Sequence, residues 1–251
     1  MQQDHPDQTE WFVSWFQHPL YLKLYQHRDN NEAQTTIETI LKHTGLGRGA
    51  KVLDIACGAG RHAVELAKCG MEVSANDLSE FLILEAKTLA EEANQNLYFS
   101  QLDMRRIEFN GIFDMVVQLF TSFGYFKSQA EDQNVINRVY NALKPEGWYV
   151  LDFFNANYVK ANLIASSNKT FEDITVTEER KIESGRVTKY INITHDMETL
   201  SFTESVMLYQ PSTLRGMLNK AGFKIVKECG DYHGNEFDPS ISPRFMVIAK
   251  K

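Results

Sequence analysis

The sequence predicts an α/β chain, a doubly wound and mostly parallel sheet with a small antiparallel β insert late in the chain. Three observations predict it. Residues 51–79 read strand, glycine loop, helix, strand, acid, which is one half of a nucleotide-binding doubly wound sheet. Short apolar runs, each the length of a buried parallel strand, then alternate with helical patterns as far as residue 154. Between residues 171 and 209 the composition shifts to Thr, Val, Ile and Tyr broken by short polar turns, which are hairpin signals.

Composition narrows the class before any motif does. The chain has 251 residues, enough for one large α/β domain with an insert, and 43% of them are hydrophobic, as in soluble globular proteins. Lys plus Arg number 26 against 33 Asp plus Glu, a net charge of −7. That field repels a polyanion, so no nucleic-acid partner is expected. The three cysteines, Cys57, Cys69 and Cys229, are far apart and form no metal-ligand spacing, and they fit a reduced compartment. The first ten residues are polar and acidic, and no apolar run reaches the length of a membrane span. A cytoplasmic protein without membrane association is expected, as a monomer or homodimer.

The elements follow in order. Glu10–Leu24 is aromatic-rich, and Pro19 divides it into two short helices. Asn30–Thr44 carries Ala33, Ile37, Ile40 and Leu41 on one helical face. Val52–Ala56 is the first strand, and Arg61–Lys68 the first helix of the core. Met71–Ala75 is the second strand, ending on Asn76-Asp77. Ser79 caps a helix over Glu80–Asn94, with Leu82, Ala86, Leu89 and Ala93 inward. Leu97–Leu102 and Asp114–Leu119 are strands three and four. Asp132–Leu143 is a helix, and Trp148–Phe154 the fifth strand. Turns at 183–186 and 195–198 divide a three-stranded antiparallel insert, which leaves from the sheet edge where doubly wound folds bind ligands. It is placed either to roof that edge or to form a dimer surface. Ser212–Lys220, capped by Ser212 and stopped near Gly222, is the last helix. Phe223–Glu228 and Phe245–Ala249 close the sheet. Taken together, residues 1–50 form a helical cap, 51–158 and 210–251 the core, and 165–209 the insert.

Each residue type in the opening unit has a physical task. Gly58 and Gly60 let the chain turn tightly and let a ligand approach the backbone. Asp77, at the carboxyl end of the second strand, can accept hydrogen bonds from ribose hydroxyls. Asp54, inside the first strand, is the discriminating residue. It would repel a pyrophosphate but attract a cationic amino group, and S-adenosylmethionine carries an ammonium and a sulfonium.

The motifs Val52-Leu53-Asp54-Ile55-Ala56-Cys57-Gly58-Ala59-Gly60-Arg61-His62 and Asn76-Asp77-Leu78-Ser79 resemble the first two cofactor motifs of class I S-adenosylmethionine-dependent methyltransferases. Looser matches follow in order at Leu102–Arg105, Phe113–Val117, Phe120–Phe126, Leu143–Gly147 and Leu218–Phe223. The resemblance runs from about residue 20 to the end. It implies a seven-stranded Rossmann-like methyltransferase fold with an antiparallel seventh strand, and S-adenosyl-L-methionine as cofactor. It places Asp54, Ala56, Gly58, Gly60, Asp77 and Leu78 around the amino-acid tail and ribose. Asp103 and Met104 fall at the adenine, Gln118 and Leu119 beneath the sulfonium. From an N-terminal helix, Tyr25 and Arg28 would close over the cofactor, with Arg28 on its carboxylate.

On the substrate side, Phe123 and Tyr125 offer aromatic faces to a sulfonium or an amine, with Tyr209 and His233 at the same edge. The loop lacks an [N/D]-P-P-[Y/F] sequence, again disfavouring nucleic acid. No catalytic residue is singled out. His62 is expected to orient or pack, His195 to be solvated, and Cys57 lacks a base. Methyl transfer needs mainly alignment of nucleophile, carbon and sulfur, and the expected acceptor is an N- or O-nucleophile on a small molecule. An NAD(P)-dependent oxidoreductase and a non-catalytic cofactor-binding scaffold are the rival readings.

Overall fold

The computed structural model describes residues 10–25, 30–171, 173–196 and 198–251. Before the sheet come two short helices, α1 (Trp11–Trp15) and α2 (Leu20–Leu24), then α3 (Asn30–Thr44). The sheet is built by β1 (Lys51–Ile55), β2 (Glu72–Asp77), β3 (Tyr98–Gln101), β4 (Phe113–Gln118) and β5 (Leu143–Phe154). Between these strands run α4 (Arg61–Lys68), α5 (Glu80–Glu92) and α6 (Gln129–Ala142), and a 3-10 turn occupies Met104–Arg106. After α7 (Ala156–Asn162) comes a second sheet of β6 (Ser166–Phe171), β7 (Ile174–Glu183), β8 (Arg186–His195) and β9 (Glu198–Met207). The chain then returns through α8 (Pro211–Ala221), β10 (Lys224–Cys229) and β11 (Arg244–Lys250).

The main sheet has the order β10-β11-β5-β4-β1-β2-β3. Strands β1 to β5 pair in parallel, while β11 is antiparallel to both β5 and β10. This is the expected seven-stranded doubly wound sheet. Its order reverses at β1, so the carboxyl ends of β1 and β4 flank the crevice where such sheets take ligands. One face is covered by a core that includes Leu53, Val116, Tyr149 and Phe245, the other by one that includes Val52, Val73, Val117 and Ile248.

Local chemistry explains most boundaries. Ser79 caps α5 by accepting from the Leu82 amide at 3.1 Å. Ser128 and Glu131 form a reciprocal capping box on α6. Gly222, at φ 104°, ends α8 in the left-handed region. Three expectations are corrected. The insert has four strands, because the polar Ser166–Phe171 segment pairs along the whole of β7 up to Glu179. Ser212 does not cap α8; Gln210 stands at the cap and Pro211 opens the helix, where a missing N–H costs nothing. The inward face of α5 is Leu82, Ile83, Ala86 and Ala90, with Leu89 and Ala93 only half-buried. The α7 helix, capped by Asn155, was not expected.

The insert does not stand away from the core. Trp15 and Leu24 of α1 and α2 pack with Ile174, Val176, Ile191 and Ile193 in a third apolar cluster. The N-terminal helices are thereby gripped between the second sheet and the carboxyl edge of the first.

Candidate active site

A cavity of about 860 Å³ lies over the carboxyl ends of β1, β2 and β4. Its floor comes from the first sheet, with Asp54, Ala56, Gly58, Asp77, Leu78, Asp103, Met104 and Leu119 lining it. Its roof comes from α1, α2 and the second sheet.

Asp54 is 2% exposed, and its Oδ2 is buried without a hydrogen-bond partner. Burial, reinforced by the neighbouring Asp77, pushes this carboxyl up to about 8. An orphaned acid facing a cavity is matched by a cationic ligand group. Asp77 Oδ2 accepts from the Gly58 amide at 2.9 Å and its Oδ1 from the Ser79 amide at 2.8 Å. Burial raises the Asp77 carboxyl, and these amide hydrogen bonds pull part of that back. The bonds fix the carboxylate against the glycine loop, and each oxygen keeps lone-pair capacity for a hydroxyl donor. Gly58 has φ 57°, with open space where a Cβ would stand, so the loop admits a ligand against its backbone.

Asp103 also lines the cavity, but its carboxylate is gripped by Arg105, at 2.6 Å from Nη2 and 3.0 Å from Nε. Arg105 in turn holds Glu10 at 2.7 Å and Glu131 at 3.1 Å. This network ties the start of the N-terminal segment to the far end of the floor.

The remaining expected residues divide. Tyr25 and Tyr125 reach the cavity. Gly60 does not. At φ 84° it opens α4, and a Cβ there would stand 2.8 Å from that of Ala86, so it serves a helix–helix contact. Gln118 is fully buried beneath the floor, accepting from Tyr149 at 2.7 Å and donating to the Ser122 carbonyl at 2.5 Å. Phe123 is turned into the core between Phe153 and Tyr209. Tyr209 is buried with its hydroxyl on Asp132 at 2.7 Å. His233 lies in the loop after β10, its amide on Asp231 at 2.9 Å, away from the cavity. None of these five lines the cavity, where the sequence placed them around the ligands. Arg28 lies outside the described residues. His62 is buried at the cavity wall. Cys57 is enclosed beside Asp77 and Asp54, and burial pushes its thiol up, away from thiolate chemistry.

The roof holds what the sequence did not reveal. Arg180, Lys189 and Glu204 are register partners across β7, β8 and β9, so one row of charged side chains faces the cavity. Glu204 Oε2 pairs with Lys189 at 2.6 Å. Its Oε1 accepts from Trp15 Nε1 and from the Tyr25 hydroxyl, both at 2.7 Å. Lys189 also donates to Tyr25, and Arg180 pairs with the buried Glu178. Around this row stand Trp11, Phe16, Tyr21 and Tyr125, with Trp11 edge-on to Phe16 and to Tyr125. The period-2 alternation of β8 and β9 was a usable signal for Val187/Lys189 and Glu204/Val206, once their register was known.

Known proteins share this fold. A family profile described as a methyltransferase domain matches residues 52–147. That match, with the fold and the motifs, supports a class I S-adenosylmethionine-dependent methyltransferase. Its cofactor is therefore S-adenosyl-L-methionine, and the orphaned Asp54, the braced Asp77 and the open glycine loop suit that molecule's ammonium, ribose and backbone approach. The YqeM protein of Bacillus subtilis (strain 168) is 27% identical over 92% of this chain and 94% of its own length. A Geobacillus sp. (strain WCH70) protein is 30% identical over 63% of this chain and 64% of its own, so just under two thirds of that relative is spanned. Both are named provisionally as methyltransferases. The glycine/sarcosine N-methyltransferase of Aphanothece halophytica is 25% identical over 89% of this chain and 83% of its own. Among solved structures, an S-adenosylmethionine-dependent methyltransferase from Clostridium acetobutylicum ATCC 824 superposes with a TM-score of 0.80 at 18% identity, covering 92% of this chain and 96% of that one. The sugar N-methyltransferase KedS8 from Streptoalloteichus sp ATCC 53650 gives 0.70 at 18% identity, covering 99% and 96%. Among the described residues no helix is long and apolar enough to cross a membrane.

Proposed function

We propose that this methyltransferase acts on an amine nitrogen of a small molecule, with the floor holding the cofactor and the roof holding the acceptor. One observation carries the reading: the roof presents the Glu204 carboxylate within a wall of Trp11, Phe16, Tyr21, Tyr25 and Tyr125. A carboxylate set among aromatic faces attracts an ammonium, each face adding about 0.5–2 kcal/mol. A neutral hydroxyl gains little from the aromatic faces. Two relatives described above, the glycine/sarcosine and the sugar N-methyltransferases, carry names that place methyl groups on nitrogen.

Bound cofactor supplies an electrophilic methyl on sulfur. The cofactor, held at Asp54 and Asp77, would offer that methyl to the acceptor nitrogen, with sulfur keeping the electron pair of the broken bond and water taking the proton that the nitrogen releases. Tyr125 does not take that proton as a phenolate. Burial, with Tyr21 and Glu204 nearby, pushes its hydroxyl far above the ordinary range, so it stays protonated and can orient a lone pair. Glu204, fixed by three donors, holds the amine in line rather than diffusing with it, and alignment is the main source of rate in such a displacement.

The test is a product screen. Purified protein with S-adenosylmethionine is offered glycine, sarcosine, an amino-sugar nucleotide and hydroxyl analogues of each, and methylated products are identified by mass spectrometry. Methylation confined to amines is expected. Turnover of the hydroxyl analogues with the amines left untouched would overturn the assignment.

A further inference from the structure

The chain leaves β4 through two consecutive left-handed residues, neither of them glycine: Phe120 at φ 57° and Thr121 at φ 64°. For a β-branched residue this conformation is unfavourable and persists only where the surroundings enforce it. Both residues line the cavity, next to Leu119 and Ser122. The enforcing groups lie behind them and outside the cavity lining. Asp152, fully buried on β5, accepts from the Phe120 amide at 2.8 Å. Its own carbonyl accepts from the Thr121 amide at 3.1 Å. Arg244, opening β11, grips both Asp152 oxygens at 2.9 and 2.8 Å and donates to the Thr121 hydroxyl at 2.9 Å. The Tyr232 hydroxyl donates to the same carboxylate at 3.1 Å.

A buried ion pair is not an efficient source of stability. This one spends its hydrogen bonds on a strained turn at the ligand edge. The turn stands beside β1: Val117 pairs with Asp54 in the sheet, and the Ser122 hydroxyl reaches the Ala56 carbonyl at 3.4 Å. In S-adenosylmethionine two methylenes separate the sulfonium from the carbon bearing the ammonium. A wall this close to the carboxylate suited to that ammonium is a wall near the methyl.

We propose that Asp152 and Arg244 are positioning residues, which hold Phe120 and Thr121 left-handed and so set the wall against which the transferable methyl rests. The inference depends on the cofactor assignment and not on the identity of the acceptor.

Binding without turnover tests it. Dissociation constants are measured by calorimetry for S-adenosylmethionine, for S-adenosylhomocysteine, which lacks the methyl, and for adenosine, which lacks sulfur and tail. In Asp152→Asn and in Arg244→Lys, affinity for S-adenosylmethionine should fall about tenfold relative to S-adenosylhomocysteine, as expected for a displaced contact. Adenosine should stay within about twofold of wild type. Arg244→Lys keeps the charge and loses only the fork, so it decides the matter even where Asp152→Asn fails to fold. A folded variant with an unchanged ratio, or with all three ligands weakened alike, overturns the proposal.

Discussion

On the floor of the cavity, Asp54, Asp77 and Asp103 stand at or near the ends of adjacent strands, and Asp77 is braced by backbone amides only two and nineteen residues away in sequence. On the roof, Glu204 is met by Trp15 from 189 residues away and by Tyr25 from 179. The floor is thus specified by short motifs and main-chain geometry. The roof is specified by side chains from remote segments, any of which can change without disturbing the glycine loop. On the proposed division of floor and roof, cofactor binding and acceptor choice are separable, and mutations should separate them.

The largest effect is expected on the floor. Asp77→Ala removes the carboxylate proposed to take the ribose hydroxyls and leaves the Gly58 and Ser79 amides unpaired, a loss of roughly 3 kcal/mol. Cofactor affinity measured by calorimetry should drop about a hundredfold. Glu204→Ala tests the other half. The acceptor KM should rise by about thirtyfold, ~2 kcal/mol, while cofactor affinity stays within about threefold. If both variants weakened cofactor equally, the division into floor and roof would not stand.

Titration sharpens the comparison, because the orphaned acid belongs to the floor. The Asp54 carboxyl, ordinarily near ~3.9, is raised to about 8 by burial and by Asp77. A raised folded-state value means that the ligand-free fold favours the neutral acid. Its contribution to stability is full below the unfolded value and is lost as pH climbs through about 8. A cofactor ammonium favours the ionised form instead. Binding at pH 7 should release most of one proton, visible as a dependence of binding heat on buffer ionisation enthalpy, and affinity should rise by about tenfold from pH 7 to 9. Asp54→Asn should abolish the proton release. Asp132, raised to about 7 mainly by burial, lies off the cavity and is common to both proteins, so it cancels in the difference.

The smallest expected effect lies where the halves meet. Ser79 caps α5 and also donates to the Phe16 carbonyl at 2.7 Å. Ser79→Ala should cost ~1 kcal/mol, seen as a fall of a few degrees in Tm, with little change in acceptor KM.

Most of the floor could be read from the sequence because glycine-loop geometry, strand length and the acid after each strand are local properties. Gly60 was misassigned for a physical reason: its left-handed φ and its contact with Ala86 serve helix packing, which no spacing rule distinguishes from ligand approach. The aromatic loop misled in the same way. Phe123 and Tyr125 are two residues apart, yet one is sealed in the core and the other faces the cavity, a difference set by the left-handed turn before them. Tyr209 was out of reach of any local rule, since its hydroxyl is taken by an aspartate 77 residues earlier. The charged row on the roof depends on the mutual register of three strands, and strand alternation fixes only which residues share a face.

The grip of Glu204 on Trp15 and Tyr25 bears on how the enzyme matures during translation. The glycine loop and its acids are complete once residue 103 has left the ribosome, whereas α1 and α2 have no carboxylate to fasten to until the fourth strand of the insert emerges. A nascent chain thus carries the motifs of its floor well before the residues of its roof, and α1 and α2 are among the last elements to find their place.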